Sequence, residues 1–247
     1  MKNICIITAK GNNTSIRNKN LLDVCGKSLL EYQINAAKEA TLIDDIYIST
    51  ECKLIKAEAI KHNIKIIDRP KSLSLPSTNH GDVIIHAAKS VSEMIGNNID
   101  TITILLGNTV FNRGIDIDNN ISTLMNNPDA SSTMTVWQAQ DDHPYRAMTI
   151  NQKGYLQSWM NPKAHAFVDT NRQSYPNVFY YDQGPWTVRY EVLIKSEKNS
   201  PSPACWWWMG ENCIPIIRKW ITGKDVHDSL DVEIAKSFVK DNLWRFM

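Results

Sequence analysis

The 247-residue chain has no excess of charge of either sign, because 27 Lys and Arg residues balance 26 Asp and Glu residues and leave a formal net charge of +1. A near-neutral chain has no broad electrostatic field that would attract nucleic acid or an anionic membrane surface. No apolar run approaches the roughly 18 residues that a bilayer-spanning helix needs. The short apolar run near the N-terminus leads directly into a polar loop, unlike a signal peptide. We therefore expect a soluble, cytoplasmic protein that binds neither nucleic acid nor membrane.

Cysteine is sparse, and its spacing gives no motif. The five cysteines form no Cys-x-x-Cys pair, and several of them lie within apolar runs. An odd number without paired spacing argues against a disulfide framework and against a zinc site, so we expect reduced, buried thiols. The chain also lacks internal repeats and low-complexity tracts. With 43% hydrophobic residues, it is predicted to form one large α/β domain, or one domain with an inserted subdomain.

Strand-like apolar runs alternate with helix-like patterns through the first half of the chain. The predicted strands span residues 3–8, 45–50, 64–67 and 100–106, and the predicted helices span residues 28–40, 53–62, 81–95 and 115–126. This alternation is typical of an α/β fold with a mainly parallel sheet flanked by helices.

The pattern changes after Pro128. Residues 131–140, 147–150, 155–159, 178–181 and 186–194 are predicted strands, and a last helix is predicted from about residue 232. We interpret residues 131–176 as an inserted β-rich subdomain that dimerises; a lid on the same domain is the alternative. Trp206–Trp208 is predicted to form a strand edge or a subunit contact, since aromatics dominate buried interfaces, with a sugar-stacking platform as the alternative.

A long polar loop follows the first predicted strand. Residues 9–21 contain four Asn, two Lys, one Arg and one Gly. Backbone N–H groups and cationic side chains converge at such a strand end, which is a suitable place to hold a phosphate. The alternative is an ordinary surface loop, but loops between strands and helices are usually much shorter.

Other polar segments follow other predicted strands. Arg69 and the Ser-rich loop 71–80 come after the third strand, and Asn108, Thr109 and Arg113 come after the fourth. In open α/β sheets ligands bind at the carboxyl ends of the strands, so these residues are candidate ligand contacts. Arg69 is equally well interpreted as a plain surface arginine.

Acidic residues cluster before the last predicted helix. Asp225, Asp228 and Asp231 surround His227. Carboxylates in this arrangement could ligate a hard cation. They could equally cap the helix and complement its dipole.

These segments, taken in order, resemble the cytidylyltransferases that activate acylneuraminate and 3-deoxy-octulosonate. Residues 9–21 are similar to that family's A-R-x-x-S-K-x-x-x-x-K-N signature, with Lys19 and Asn20 matching its end, and residues 22–30 resemble its L-x-G-K-P-L stretch. Further similar segments follow in the same order: 48–51, 69–70, 82–87, 105–113, 143–144, 172–176 and 225–231.

The resemblance implies a Rossmann-like nucleotidyltransferase fold, with the topology of GT-A glycosyltransferases and a small dimerisation subdomain. It implies a homodimer that joins CTP to a sialic-acid-like nonulosonic acid, giving a CMP-sugar and pyrophosphate for surface-glycan synthesis, with Mg²⁺ as cofactor. Lys10, Lys19 and Asp225 would be catalytic, and Asp225 and Asp228 would hold the metal. The implied nucleotide contacts are Ala9, Gly11, Asn12, Asn13, Asn20, Arg69 and Ser77. The implied sugar-side contacts are Asn108, Thr109, His143, Arg146, Arg172, Gln173 and Asp182.

Several positions depart from the family pattern. Lys10 replaces an Arg, Asn13-Thr14 replaces Ser-Lys, Gly107 replaces a Gln, and His227 replaces the second metal Asp. These departures point to an atypical substrate or reduced activity. Two alternatives therefore stay open: a transferase of the same fold with a different anionic acceptor, and a non-catalytic nucleotide-binding homologue. A glycosyltransferase is less favoured, because Gly107-Asn108-Thr109 supplies no Asp-x-Asp directly after the fourth strand, and Asp116-Ile117-Asp118 comes later, in a predicted helix.

Overall fold

A computed structural model describes residues 1–11, 16–96, 98–160, 170–203 and 205–246, with the side chain of Arg172 left out. Its centre is a seven-stranded sheet. The strands are β1 (Asn3–Thr8), β4 (Asp45–Thr50), β5 (Lys65–Asp68), β6 (Thr101–Leu106), β7 (Ser132–Gln138), β10 (Phe179–Arg189) and β11 (Cys213–Arg218). Their order across the sheet is β11-β7-β10-β6-β1-β4-β5. Only β10 runs antiparallel to its neighbours β6 and β7, so the predicted mainly parallel α/β fold is confirmed.

Helices cover both faces of this sheet. They are α1 (Leu29–Glu39), α2 (Lys53–Lys61), α3 (His80–Ile95), α4 (Gly114–Met125), a short helix Tyr190–Lys195 and a C-terminal helix Ser229–Lys240. Alternate residues of β1 join different cores: Ile6 packs with α3 on one face, and Ile7 packs with α1, α2 and α4 on the other. A strand buried on both faces is what the continuous apolar run of residues 4–7 requires.

Side chains from the loops set where the helices begin. Ser28 accepts a hydrogen bond at Oγ from the Glu31 N–H (3.1 Å), and Asn79 accepts one at Oδ1 from the Gly81 N–H (2.8 Å). These caps fix the starts of α1 and α3. The C-terminal helix packs through Phe238 on Phe111 and Val226, which brings the last part of the chain against the loop after β6.

The structure corrects the sequence-based predictions at three places in the second half of the chain. The predicted strand 186–194 ends at Arg189, and a helix begins at Tyr190. Trp207 and Trp208 form a buried 3₁₀ turn in the core beside α3, rather than a strand edge or an exposed contact. Strand β11 was missed, because residues 213–218 alternate between half-buried and exposed positions at the sheet edge.

The cysteines are also partly mispredicted. All five are free, but Cys25 and Cys205 are exposed, so the expectation of buried thiols is wrong for these two. Within the described residues, no helix is both long and apolar enough to cross a bilayer.

Two short hairpins lie outside the large sheet. The first pairs β2 (Asp23–Val24) with β3 (Lys27–Ser28), and the second pairs β8 (Met148–Ile150) with β9 (Leu156–Ser158). The β8–β9 hairpin lies within the predicted insertion and exposes Met148, Ile150, Tyr155, Leu156 and Trp159, each with more than 60% of its surface accessible.

Candidate functional site

A cleft of about 330 Å³ opens at the carboxyl ends of β1 and β6. The chain leaves β1 towards β4 and β5 on one side, whereas β6 pairs with the opposite edge of β1. The loop after β1 and the loop after β6 therefore diverge. Between them lies the crevice in which doubly wound sheets bind ligands. The lining comprises Thr8, Lys10, Lys19, Asn20, Arg69, Leu73, Ser74, Leu75, Thr78, His80, Val83, Leu106, Asn108, Asp225 and His227.

Asp225 is the centre of the polar contacts in this cleft. Asn108 Nδ2 donates to Asp225 Oδ2 (2.5 Å), Lys19 Nζ lies 4.0 Å from the same oxygen, and His227 Nε2 lies 2.7 Å from Oδ1. Lys19 and Asp225 are nearly buried. Burial lowers the pKa of the Lys19 ammonium, and the Asp225 carboxylate acts in the opposite direction. Because the Lys19 ammonium is desolvated, it is stabilised by any anion that lies beside it, which could be a phosphate in place of the carboxylate.

Asn20 and Gly107 shape the loop after β1. Asn20 Nδ2 donates to the carbonyl oxygen of Lys10 (2.8 Å) and so holds the backbone beside the cleft. A Cβ atom at Gly107 would lie 3.1 Å from Ala9 Cβ and 3.2 Å from Asn20 Oδ1. Gly107, which stands where the family pattern has Gln, therefore allows the loop after β6 to approach the loop after β1 closely.

Glu51 ties this loop to the opposite wall. Its Oε1 accepts a hydrogen bond from the Gly11 N–H (2.9 Å), and its Oε2 accepts one from Ser74 Oγ (2.7 Å). The guanidinium of Arg69 lies 3.9 Å from Oε2 and donates to the hydroxyl and carbonyl oxygens of Ser49. Glu51 was missed, although it follows β4 at the same sheet edge and the strand-end rule could have found it.

His80 is a second residue that the sequence did not indicate. Its Nε2 makes a 3.0 Å hydrogen bond with Thr8 Oγ1 at the floor of the cleft. Burial lowers the pKa of His80 to about 4, and the nearby Arg69 and Lys10 cations contribute in the same direction. The imidazole is therefore neutral at pH 7 and adds a polar group without charge to a cationic cleft.

We expect His80 to make the protein less stable as the pH falls from 7 to 5. The unfolded imidazole titrates near 6.5 and the folded one near 4, so between these values the unfolded state binds more protons and the free energy of unfolding decreases as the pH falls. The decrease at pH 5 should be about 1–2 kcal/mol. Urea unfolding at both pH values should show a smaller decrease for His80→Gln than for the wild type. An unchanged decrease in His80→Gln would contradict this expectation.

The cleft collects part of the predicted nucleotide-side set. Lys10, Lys19, Asn20, Arg69 and Asp225 line it, and Ala9 and Gly11 lie in the adjoining backbone. Ser77 is exposed and outside the lining, to which its loop instead contributes Ser74 and Thr78. The positions of Asn12 and Asn13 lie outside the described residues.

Two predicted sugar-side residues, Asp182 and Thr109, are buried away from the lining of the cleft. Asp182 has no accessible surface and accepts hydrogen bonds from Thr222 Oγ1 (2.6 Å) and the Gly184 N–H (3.0 Å). Thr109 is also buried and donates through Oγ1 to the Lys224 carbonyl (3.0 Å). Both side chains organise the protein beneath the cleft and present no surface to a substrate.

The remaining sugar-side residues lie around the turn at 141–146. His143 is buried, with Nδ1 accepting from the Tyr145 N–H (3.1 Å) and Nε2 3.0 Å from the Pro176 carbonyl oxygen, so both ring nitrogens have partners within the protein. Arg146 is exposed and reaches the Thr170 carbonyl (3.2 Å), and Gln173 is exposed. Neither lines the described part of the cleft, and the side chain of Arg172 lies outside the described residues.

Asp228 caps the C-terminal helix. Its Oδ1 accepts hydrogen bonds from the N–H groups of Leu230 (2.8 Å) and Asp231 (3.0 Å), and Asp231 returns a bond to the Asp228 N–H. This reciprocal arrangement is the capping alternative that the sequence left open. Asn108, in contrast, lines the cleft as predicted for a strand-end residue.

A doubly wound α/β fold with lysines and a carboxylate in the crevice at its switch point defines the class of nucleotide-binding α/β proteins. Within that class the family is defined by sequence. The model of the family "Cytidylyltransferase" matches residues 4–176, and the chain belongs to this family.

Curated relatives and solved structures agree with this assignment. The chain is 37% identical over 75 residues to a pseudaminic acid cytidylyltransferase of Campylobacter jejuni, covering 30% of this chain and 32% of that protein, so the match spans about a third of the relative's length. It is 23% identical over 239 residues to the post-translational flagellin modification protein B of Campylobacter coli, covering 96% of this chain and 95% of that protein. The structure of a CMP:2-keto-3-deoxy-manno-octonic acid synthetase complexed with CTP superposes with a TM-score of 0.72 at 13% identity, covering 98% of this chain and 100% of the other. At that identity, the structural match shows a shared fold.

Proposed function

We propose that the protein transfers the cytidylyl group of CTP to a sugar acid of the nonulosonic or octulosonic class, releasing pyrophosphate. The observation that carries the proposal is the buried Lys19–Asp225 pair in the cleft at the end of β1, in a chain of the cytidylyltransferase family. Relatives that share part of the sequence are named for pseudaminic acid and N-acylneuraminate, which supports an acidic nine-carbon sugar as acceptor.

The residues in the cleft suit the chemistry of this transfer. A sugar hydroxyl attacks the α-phosphorus of CTP and loses its proton. The bond between the α-phosphorus and the oxygen that bridges to the β-phosphate breaks, and pyrophosphate leaves. Negative charge increases on the leaving group, so cations and N–H donors stabilise the transition state more than covalent catalysis would. We assign Lys10 and Lys19 to the triphosphate and Asn20 to the geometry of the loop that holds it.

The donor set also suits one Mg²⁺ ion. Mg²⁺ is usually held by one or two carboxylates together with substrate phosphates, and Asp225 supplies one carboxylate in the cleft. His227 contacts Asp225 Oδ1 but is two-thirds exposed, so it has room to move away from that oxygen. We propose that Asp225 holds the ion, which would supply charge neutralisation at the phosphates, and that Asp228 contributes mainly through its cap.

One observation favours a second candidate function. Both Asp225 oxygens have protein partners, Asn108 and His227, and His227 replaces the second Asp of the family pattern that residues 225–231 resemble. A protein with this arrangement could bind CTP without transferring it. Nucleotide binding without pyrophosphate release would identify this function.

The proposal is tested by pyrophosphate release with each of the four nucleoside triphosphates, Mg²⁺ or Mn²⁺, and a panel of sialic, legionaminic, pseudaminic and octulosonic acids. We expect release that requires CTP and one class of acid. Release from CTP with a phosphorylated polyol or a phosphonate alone would assign a different anionic acceptor. No release, with a CTP-dependent rise of the melting temperature, would assign nucleotide binding without transfer.

Lys19→Ala should raise the KM for CTP or reduce turnover by about 100-fold, because it removes a desolvated cation from the phosphate side of the cleft. Steady-state kinetics and circular dichroism of the variant measure activity and folding separately. Lys53→Ala, at an exposed position on α2, is the matched control and should behave as wild type. Wild-type kinetics for Lys19→Ala would reject the assignment of Lys19 to the triphosphate.

We also propose that the β8–β9 hairpin is a homodimer contact. It presents a cluster of exposed apolar side chains, including Ile150, Leu156 and Trp159, and exposed clusters of this kind mark interaction surfaces. Ile150→Asp with Leu156→Asp should shift the mass measured by light scattering towards the monomer. Ile60→Asp, an equally exposed apolar position on α2, should leave the mass unchanged. A monomeric wild type would reject the proposal.

A further inference from the structure

A second cluster of metal-ligating side chains joins α1 to α2, outside the lining of the cleft. Glu31 lies on α1, Glu58 lies on α2, and His62 follows the last residue of α2. One ligand atom from each residue lies within 4.8 Å of the other two. His62 Nε2 is 3.3 Å from Glu58 Oε1 and 3.9 Å from Glu31 Oε2.

The ring nitrogen that faces the two carboxylates lacks a hydrogen bond. His62 Nε2 is buried at the atomic level and makes no hydrogen bond within the described part of the chain. A buried polar atom without such a partner is destabilising. An ion held between this nitrogen and the two carboxylates would remove that cost.

The spacing is close to that of a metal site. Zinc bonds to imidazole nitrogen and carboxylate oxygen are about 2.0 Å long, so two ligands of a tetrahedral ion lie about 3.3 Å apart. The distance from His62 to Glu58 already has this value, and Glu58 and His62 share one face of α2 through their i, i+4 spacing. Only Glu31 needs to move closer, by a change of side-chain rotamer.

We propose that Glu31, Glu58 and His62 bind a divalent transition-metal ion, with Zn²⁺ as the best match. One nitrogen and two oxygen ligands select Zn²⁺, Co²⁺ or Ni²⁺ over Mg²⁺ and Ca²⁺, which prefer oxygen alone. Three protein ligands leave a fourth position for water. The bound ion links α1 to α2 and stabilises the folded state in proportion to its concentration.

The site has a structural role beside the cleft. Helix α2 begins next to Glu51, which holds the Gly11 N–H, and α1 begins after the hairpin that follows Lys19 and Asn20. Fixing α1 against α2 therefore supports both ends of the loop after β1. The inference is independent of the proposed transferase activity.

The test is a titration of the chelator-treated full chain with Zn²⁺ in a buffer that contains Mg²⁺, followed by calorimetry and by thermal unfolding. Co²⁺ in place of Zn²⁺ gives a visible absorption spectrum that reports the coordination. For the wild type we expect saturable binding of one Zn²⁺ ion and a higher melting temperature. For His62→Gln we expect the affinity for Zn²⁺ to be lower by roughly 100-fold or more. His227→Gln is the matched control, because His227 contacts a carboxylate, that of Asp225, inside the cleft and away from the proposed site.

The outcomes separate the two places. Binding lost in His62→Gln and Glu58→Gln but retained in His227→Gln supports the site. Binding lost only in His227→Gln, or no saturable Zn²⁺ binding by the wild type, overturns it. If His62→Gln does not fold, Glu31→Gln decides in its place: weakened Zn²⁺ binding by this variant supports the site, and unchanged binding overturns it.

Discussion

Asp225→Asn is expected to lower kcat for CTP-dependent pyrophosphate release by about 100-fold or more and to weaken its dependence on Mg²⁺. Asparagine keeps the size of the side chain but removes the negative charge that faces Lys19, Asn108 and His227. It also replaces one of the two oxygens, which now face Asn108 and His227 separately, by an N–H₂ group that cannot accept a hydrogen bond. We therefore expect a loss of turnover larger than any change in the KM for CTP. The measurement is steady-state kinetics over a range of Mg²⁺ concentrations.

Two further variants locate the source of that effect. Glu233→Gln removes an exposed carboxylate from the same C-terminal region and should leave kcat unchanged. Asp228→Asn separates the two interpretations of Asp228, because asparagine caps helices as well as aspartate does but carries no charge for a metal ion. Unchanged activity and Mg²⁺ dependence in Asp225→Asn would mean that the metal and the charge required for transfer lie elsewhere.

The sequence predicted the elements whose patterns are local. Strand β1 is buried on both faces, so its apolar run is continuous, and α3 has a cap and a helical apolar face within one segment. The predicted strand after Arg189 was wrong, because the apolar residues of 190–195 are compatible with either element and tertiary packing on α3 decides between them. The prediction of a strand edge or a subunit contact at Trp207 and Trp208 was wrong for a related reason. The partners that bury these side chains lie more than one hundred residues away in the sequence, on α3.

The candidate site shows the same division. Asn108 and Arg69 follow predicted strands, and the rule that ligands bind at strand carboxyl ends was sufficient to select them. His80 becomes part of the cleft only through its contact with Thr8, which no local pattern encodes. His143 and Asp182 were assigned by motif position, and motif position does not say whether a polar side chain faces a ligand or the protein interior.

Asp182 belongs to a buried network under the loop that carries Asn108. Arg218 donates to Asn112 Oδ1 (2.9 Å) and to the carbonyl oxygens of Gly184 and Phe111 (each 2.7 Å), and its Nε lies 3.6 Å from Asp182 Oδ2. Burial raises the pKa of Asp182, while Arg218 and hydrogen bonds from Thr135, Thr222 and Gly184 act in the opposite direction. The network thus connects β10 and β11 to the segment after β6, and it includes a charge pair that is costly to bury and more costly to break.

Asp182→Ala should therefore lower the free energy of unfolding by about 3–5 kcal/mol, because it removes the nearer of the two carboxylates that face the buried Arg218 guanidinium, the other being Asp116 at 3.9 Å. Urea unfolding gives this value directly. The double variant Asp182→Ala with Arg218→Met should be less destabilised than the sum of the two single variants, since the partners of one ionic pair are not independent. Asp129→Ala, at an exposed position before β7, is the matched control and should change stability by less than about 0.5 kcal/mol.

Additive single-variant effects would show that the two charges do not interact. A loss below about 1 kcal/mol in Asp182→Ala would show that burial cost and ionic attraction nearly cancel at this pair. In either case the loop that carries Asn108 would depend on the carbonyl contacts of Arg218 rather than on its charge.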